Sequence, residues 1–104
     1  MSKYTIEDLR ASYPHRVPLK IKPSLNCPKN LKLEKKYLVP KETTLIEFLH
    51  ILRKQLKLEN HQALLLYIKD ELPPINKTVE ELDNYYKFTS GILEVVYTAE
   101  NTFG

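Results

Sequence analysis

The sequence predicts a single α+β domain in which a small sheet is packed by one main helix, and three observations carry that expectation. Four short runs, RVPLKIK, KKYLVP, ALLLYIK and ILEVVYT, have strand length and either alternate apolar with polar residues or are apolar throughout. One longer segment, LIEFLHILRKQLKL, repeats its apolar residues at helical spacing instead. A chain of 104 residues is large enough for one hydrophobic core and too small for two.

Each element has a local reason. Thr5, Ile6, Glu7 and Asp8 have the pattern of a capping box, so a short helix starts there; it must end before Pro14, because the residue preceding a proline is pushed out of the helical region. In RVPLKIK, Val17, Leu19 and Ile21 alternate with Pro18, Lys20 and Lys22, the pattern of a half-buried strand. A polar, proline-containing loop leads to a second strand, KKYLVP, closed by Pro40. Thr44 and Glu47 cap the main helix, which runs to about Leu58; Leu45, Leu49, Leu52 and Leu56 form its sheet-facing stripe, with Phe48 and Ile51 beside it as a surplus. ALLLYIK is apolar on both faces, as expected of a central strand. After a turn at Asp70 to Pro74, Thr78 and Glu81 cap a last short helix whose Val79, Leu82, Tyr85 and Tyr86 face inward, and Ser90 with Gly91 turns the chain into the final strand.

With a further short strand near Leu72 to Asn76, this order is that of a ubiquitin-like β-grasp fold preceded by one N-terminal helix. The expected organisation is an N-terminal helical extension over residues 1–15, the β-grasp domain over 16–98 and a flexible C-terminal glycine tail over 99–104.

Composition narrows function mainly by exclusion. The longest unbroken apolar run, Ala63 to Ile68, is too short to cross a bilayer, and the polar start MSKYTIEDLR does not read as a signal peptide, which points to the cytoplasm or nucleus. The lone cysteine, Cys27, agrees with a reducing compartment. Only Gly91 and Gly104 are glycines, so a glycine-rich phosphate loop is excluded. A net charge of +3 is modest for a nucleic-acid binder, although Lys29, Lys32, Lys35, Lys36 and Lys41 are clustered.

Catalytic candidates are thin. Cys27 with His15, His50 and His61 supplies no evident nucleophile and base at close spacing and no metal-ligand cluster. The surplus apolar residues say more. Phe48 and Ile51 beside KKYLVP, if that strand lies at the sheet margin, make an apolar groove next to unpaired backbone groups that an extended peptide could join, and Lys35 and Lys36 favour acidic residues in that peptide.

Specific strings then carry a resemblance. RASYPHRVP, KKYLVP, EFLHILRKQL, ALLLYIKDELPP, YYKFTSGILEVVY and ENTFG resemble, in order and with little or no gap from about Ile6 to the end, the autophagy ubiquitin-like modifiers, the GABARAP and microtubule-associated light-chain family. The resemblance implies a modifier that is not an enzyme and needs no cofactor. Its Gly104 carboxyl would be activated by an E1-like enzyme, passed as a thioester to an E2-like enzyme and joined to phosphatidylethanolamine, carrying a cytoplasmic protein to the autophagosome or another vesicle membrane. Phe103 matches the residue recognised by the family's processing and deconjugating cysteine protease.

The resemblance also implies a dock for aromatic-x-x-aliphatic motifs of cargo receptors, added as a strand beside the second strand. Leu9, Pro18, Lys20, Lys36, Leu38 and Ile92 would line its first pocket; Tyr37, Leu38, Thr43, Phe48 and Ile51 would line its second; Arg16 and Arg53 match basic positions nearby. The match is incomplete. Lys20 and Thr43 stand where the family has apolar walls, Glu34 and Gln55 where it has basic residues, and the family's first N-terminal helix is missing or much shortened. Two other readings stay open at this level: conjugation through Gly104 to a protein lysine, and nucleic-acid binding through the lysine cluster, which the weak basic signature disfavours.

Overall fold

The computed structural model describes residues 5–101, so Phe103 and Gly104 lie outside the described residues. Its elements are α1 (Ile6–Ser12), β1 (Arg16–Pro23), β2 (Lys35–Pro40), α2 (Leu45–Leu56), β3 (Gln62–Tyr67), α3 (Val79–Tyr86) and β4 (Leu93–Asn101). The sheet order is β2-β1-β4-β3, with β1 antiparallel to β2 and parallel to β4, and β3 antiparallel to β4. This is the expected β-grasp: an opening hairpin, then a crossover that returns the last strand to the middle of the sheet.

The three helix starts form as the sequence dictates. Thr5, Thr44 and Thr78 each accept a bond from the backbone N–H three residues on, while Asp8, Glu47 and Glu81 reach back to the capping residue's own N–H. Those N–H bonds favour the charged carboxylate and hold Glu47 and Glu81 below their ordinary pKa. At the other end, α2 and α3 stop at Lys57 and Lys87, both left-handed, with φ of 55° and 49°.

The core lies between α2 and one sheet face. Val17, Leu19 and Ile21 of β1 alternate into it, joined by Val39, Leu64, Leu66, Leu93, Val95 and Tyr97 from the other strands and by Leu45, Phe48, Leu52 and Leu56 from α2. Each such side chain contributes about 1.5–3 kcal/mol by leaving water. Pro18, one step out of that alternation on β1, faces the opposite side of the sheet, where α1 packs against β1.

Several expectations are corrected. β3 is an edge strand, not a central one; Leu64 and Leu66 are buried while Ala63, Leu65 and Tyr67 are half-buried. Apolar residues on both faces report cover from above and below, which is independent of having hydrogen-bonded neighbours on both sides. On α2 it is Phe48, 1% exposed, that completes the core stripe, and Leu49 is only half-buried. No strand forms at 72–76; isolated bridges join Ile68 to Glu71 and Thr44 to Thr78 instead. Of the residues expected inward on α3, Val79 and Leu82 are buried but Tyr85 is 77% exposed. β4 also runs on through residues expected in the tail, because Ala99, Glu100 and Asn101 pair with Leu64, Ala63 and Gln62 of β3.

Candidate functional site

β2 forms one margin of the sheet, as its expected role in peptide docking requires, so its outer side has no strand partner among the described residues. Beside it lies a small, strongly apolar depression of about 100 Å³, lined by Ile6, Leu9, Pro18, Leu19, Lys36, Tyr37, Leu38 and Ile92. Five of the six residues assigned to the first pocket, Leu9, Pro18, Lys36, Leu38 and Ile92, are thus brought together by α1, the β1–β2 hairpin and the residue just before β4.

The sixth, Lys20, is not among the lining residues. It sits opposite Lys36 in the β1–β2 register, and its ammonium pairs with Glu34 at 3.3 Å. Two residues expected to depart from the family pattern therefore neutralise each other: the cation at 20 meets the anion at 34. Ile6, Leu19 and Tyr37 are additional walls that the sequence reading did not assign to this pocket. Ile6 was legible in principle, since it lies three residues before Leu9 and so shares a face of α1 with it.

Around the proposed second pocket the picture is mixed. Phe48 is buried, with the Tyr37 ring edge-on at 5.3 Å between centroids, so it supports the surface from beneath rather than forming it. Ile51, 47% exposed, and the half-buried Tyr37, Leu38 and Thr43 are what an incoming side chain could touch. The Tyr37 hydroxyl bonds the Gln55 side chain, and burial pushes that hydroxyl above its ordinary pKa. Lys35 places its ammonium 5.1 Å from the Tyr37 ring centre.

The two arginines have local work as well. Arg16 donates to the Leu38 carbonyl at 3.0 Å, which leaves that carbonyl one lone pair for a further donor. Arg53 donates to the carbonyls of Gln62 at 2.7 Å and Glu59 at 3.1 Å, tying the end of α2 to the start of β3. Its guanidinium is thus a fastening of the fold, a role its sequence position alone did not suggest. Tyr97 acts similarly within the core: its hydroxyl donates to the Leu33 carbonyl at 2.9 Å and fastens the loop that leads into β2.

A larger depression of about 560 Å³ lies elsewhere, lined by Glu71, Leu72, Pro74, Lys77, Glu81, Leu82, Tyr85 and Tyr86. It contains none of the residues that the sequence reading assigned to a site, and it has no strand of the sheet along its lining. Among the described residues, no group of three or more His, Cys, Asp or Glu is placed to hold a metal, and no helix is long and apolar enough to cross a membrane.

A β-grasp domain with an open sheet margin and an apolar cleft beside it defines the ubiquitin-like class. The family model for the ubiquitin-like autophagy protein Atg8 matches residues 2–104. The chain is 34% identical to autophagy-related protein 8b of Arabidopsis thaliana over 96 residues, covering 92% of this chain and 79% of that protein. It is 31% identical to protein 8e of the same plant over the same shares. The crystal structure of Trypanosoma brucei ATG8 superposes with a TM-score of 0.82 at 30% identity, covering 98% of this chain and 94% of that one. The chain belongs to the Atg8 family of ubiquitin-like autophagy proteins, which are modifiers and not enzymes.

Proposed function

We propose that this protein is a lipid-conjugated autophagy modifier that docks short aromatic-x-x-aliphatic motifs on the outer margin of β2. The observation that carries the docking half is the apolar cleft against that margin, where Leu9, Pro18, Lys36, Leu38 and Ile92 converge. An extended peptide can add backbone bonds along β2 while its aromatic side chain enters the cleft and its aliphatic one rests near Tyr37 and Ile51. Lys35 and Lys36 favour acidic neighbours in the motif, as carried by cargo receptors and adaptors of the family.

The conjugation half rests on family membership and on the chemistry of Gly104. A glycine acyl group has no Cβ to hinder transfer from an E1-like adenylate to an E2-like thioester and then to the amine of phosphatidylethanolamine. Phe103 would be read by the processing protease. Two acyl chains supply about 0.8 kcal/mol per buried methylene and convert a cytoplasmic protein into one held on an autophagosomal membrane.

The test is incubation with matching E1-like and E2-like enzymes, ATP and phosphatidylethanolamine vesicles, read by intact mass. The expected product is the Gly104-linked lipid adduct, absent from Gly104→Ala. An isopeptide-branched peptide in place of the lipid adduct would instead assign conjugation to a protein lysine.

A further inference from the structure

α1 supplies one wall of the cleft, through Ile6 and Leu9, yet it has only seven residues and buries none of them. An isolated helix of that length is not stable in water. Something outside the helix must therefore hold the wall in place. Arg10 does so by reaching across the molecule: one Nη2 N–H is shared between the two Asp83 carboxylate oxygens, at 2.9 and 3.0 Å, the other donates to the Gly91 carbonyl at 2.8 Å, and Nε donates to that same carbonyl at 3.1 Å. The Asp83 side chain is 14% exposed and that of Arg10 37%, so the pair is shielded on the carboxylate side and open to water on the other. Ile6 closes on the same point, for a Cβ at Gly91 would come within 2.8 Å of Ile6 Cγ2. Gly91 also has a φ of +77°, which glycine adopts at no steric cost.

The anchor point is next to another lining residue. Gly91 directly precedes Ile92, which lines the cleft together with Ile6 and Leu9, so the clamp ties α1 to the segment that carries Ile92. We propose that Arg10, Asp83 and Gly91 set the spacing of Ile6 and Leu9 from Ile92, and thereby fix how large a side chain the cleft accepts. Arg10 and Asp83 are positioning residues: neither lines the cleft, and they act on the ligand only through α1 and the turn before β4. This inference rests on the docking reading above.

The experiment measures binding of peptides that differ only in the aromatic position, with Trp, Phe or Leu there, to the full chain by fluorescence anisotropy. The variants are Arg10→Ala, Arg10→Lys, Asp83→Asn and Gly91→Ala. Thermal unfolding confirms that each is folded, and hydrogen exchange of the α1 amides reports whether the wall has loosened. Arg10→Ala is expected to weaken the Trp peptide on the order of ten-fold, as loss of charge-assisted bonds that hold a binding surface should. It should also flatten the preference among Trp, Phe and Leu. Asp83→Asn and Gly91→Ala, which disturb the clamp from the other side, should shift the preference in the same direction, and Arg10→Lys should fall between. Binding by the unsubstituted protein that all four variants leave unchanged overturns the inference and leaves the docking reading intact. An equal loss for all three peptides also overturns it, since that is mere destabilisation. If the unsubstituted protein binds none of the peptides, the docking reading fails and takes the inference with it.

Discussion

α1 and α2 open on the same device and are held by opposite means. Both begin with a threonine capping box, and both lie against the sheet. α2 then buries Leu45, Phe48, Leu52 and Leu56, whereas α1 has no buried residue and relies on Arg10 reaching Asp83 and Gly91. One helix is part of the core and must form whenever the domain folds. The other is an attachment, and its opening is expected at a free energy below that of global unfolding. That difference suits their positions, because α2 supports the domain while α1 walls the cleft proposed above as the peptide dock.

The sharpest way to break the comparison is to remove bulk from α2. Phe48→Ala should cost about 3–5 kcal/mol by leaving a cavity beneath Tyr37, read as a fall in the denaturation midpoint at unchanged m-value. No alanine substitution of an α1 side chain should approach that loss. If one does, α1 belongs to the cooperative core after all.

Caps test the contrast at smaller scale. Thr44→Ala should lower global stability by about 1 kcal/mol, while Thr5→Ala should leave the global midpoint nearly unmoved and reduce only the hydrogen-exchange protection of α1. Acid probes the same boxes on α2 and α3. Glu47 and Glu81 have lowered folded pKa values, so their contribution is full above the unfolded carboxylate value of roughly 4.3 and is lost as pH falls through the lowered folded values. The acid side of a stability–pH curve should therefore become shallower in a Glu47→Gln, Glu81→Gln double variant.

The smallest expected effect is a gain. Lys57 ends α2 in the left-handed region, where a side chain is strained. Lys57→Gly should raise stability by roughly 0.5–1 kcal/mol, seen as a higher unfolding temperature.

Much of this fold is legible in the sequence. The capping threonines, the alternation of Val17, Leu19 and Ile21, and the short helix stopping before Pro14 are local features, set by backbone hydrogen bonding and side-chain periodicity within a few residues. That Leu9, Pro18, Lys36, Leu38 and Ile92 meet was indicated through the resemblance carried by RASYPHRVP and KKYLVP rather than through physics read along the chain; that they hold a peptide is the proposal above. The miss at β3 shows where local reading stops. Leu64, Leu65 and Leu66 say that a strand has cover on both faces, and only the parallel pairing of β1 with β4 decides that β3 stands at the margin. Phe48 is a similar case: its place in the core depends on the angle at which α2 meets the sheet, which a helical wheel does not contain.

The amino-acid sequence by itself determined the order and starting points of the main elements, because caps, turns and periodicity act over short distances. The tertiary structure alone decided which polar residues work at long range. Arg10 meets Asp83 and Gly91 across separations of 73 and 81 residues, and Lys20 meets Glu34 across the hairpin. Nothing in the local chemistry of an exposed arginine or lysine names its partner; that choice is made when packing of the apolar core brings distant segments within hydrogen-bond reach.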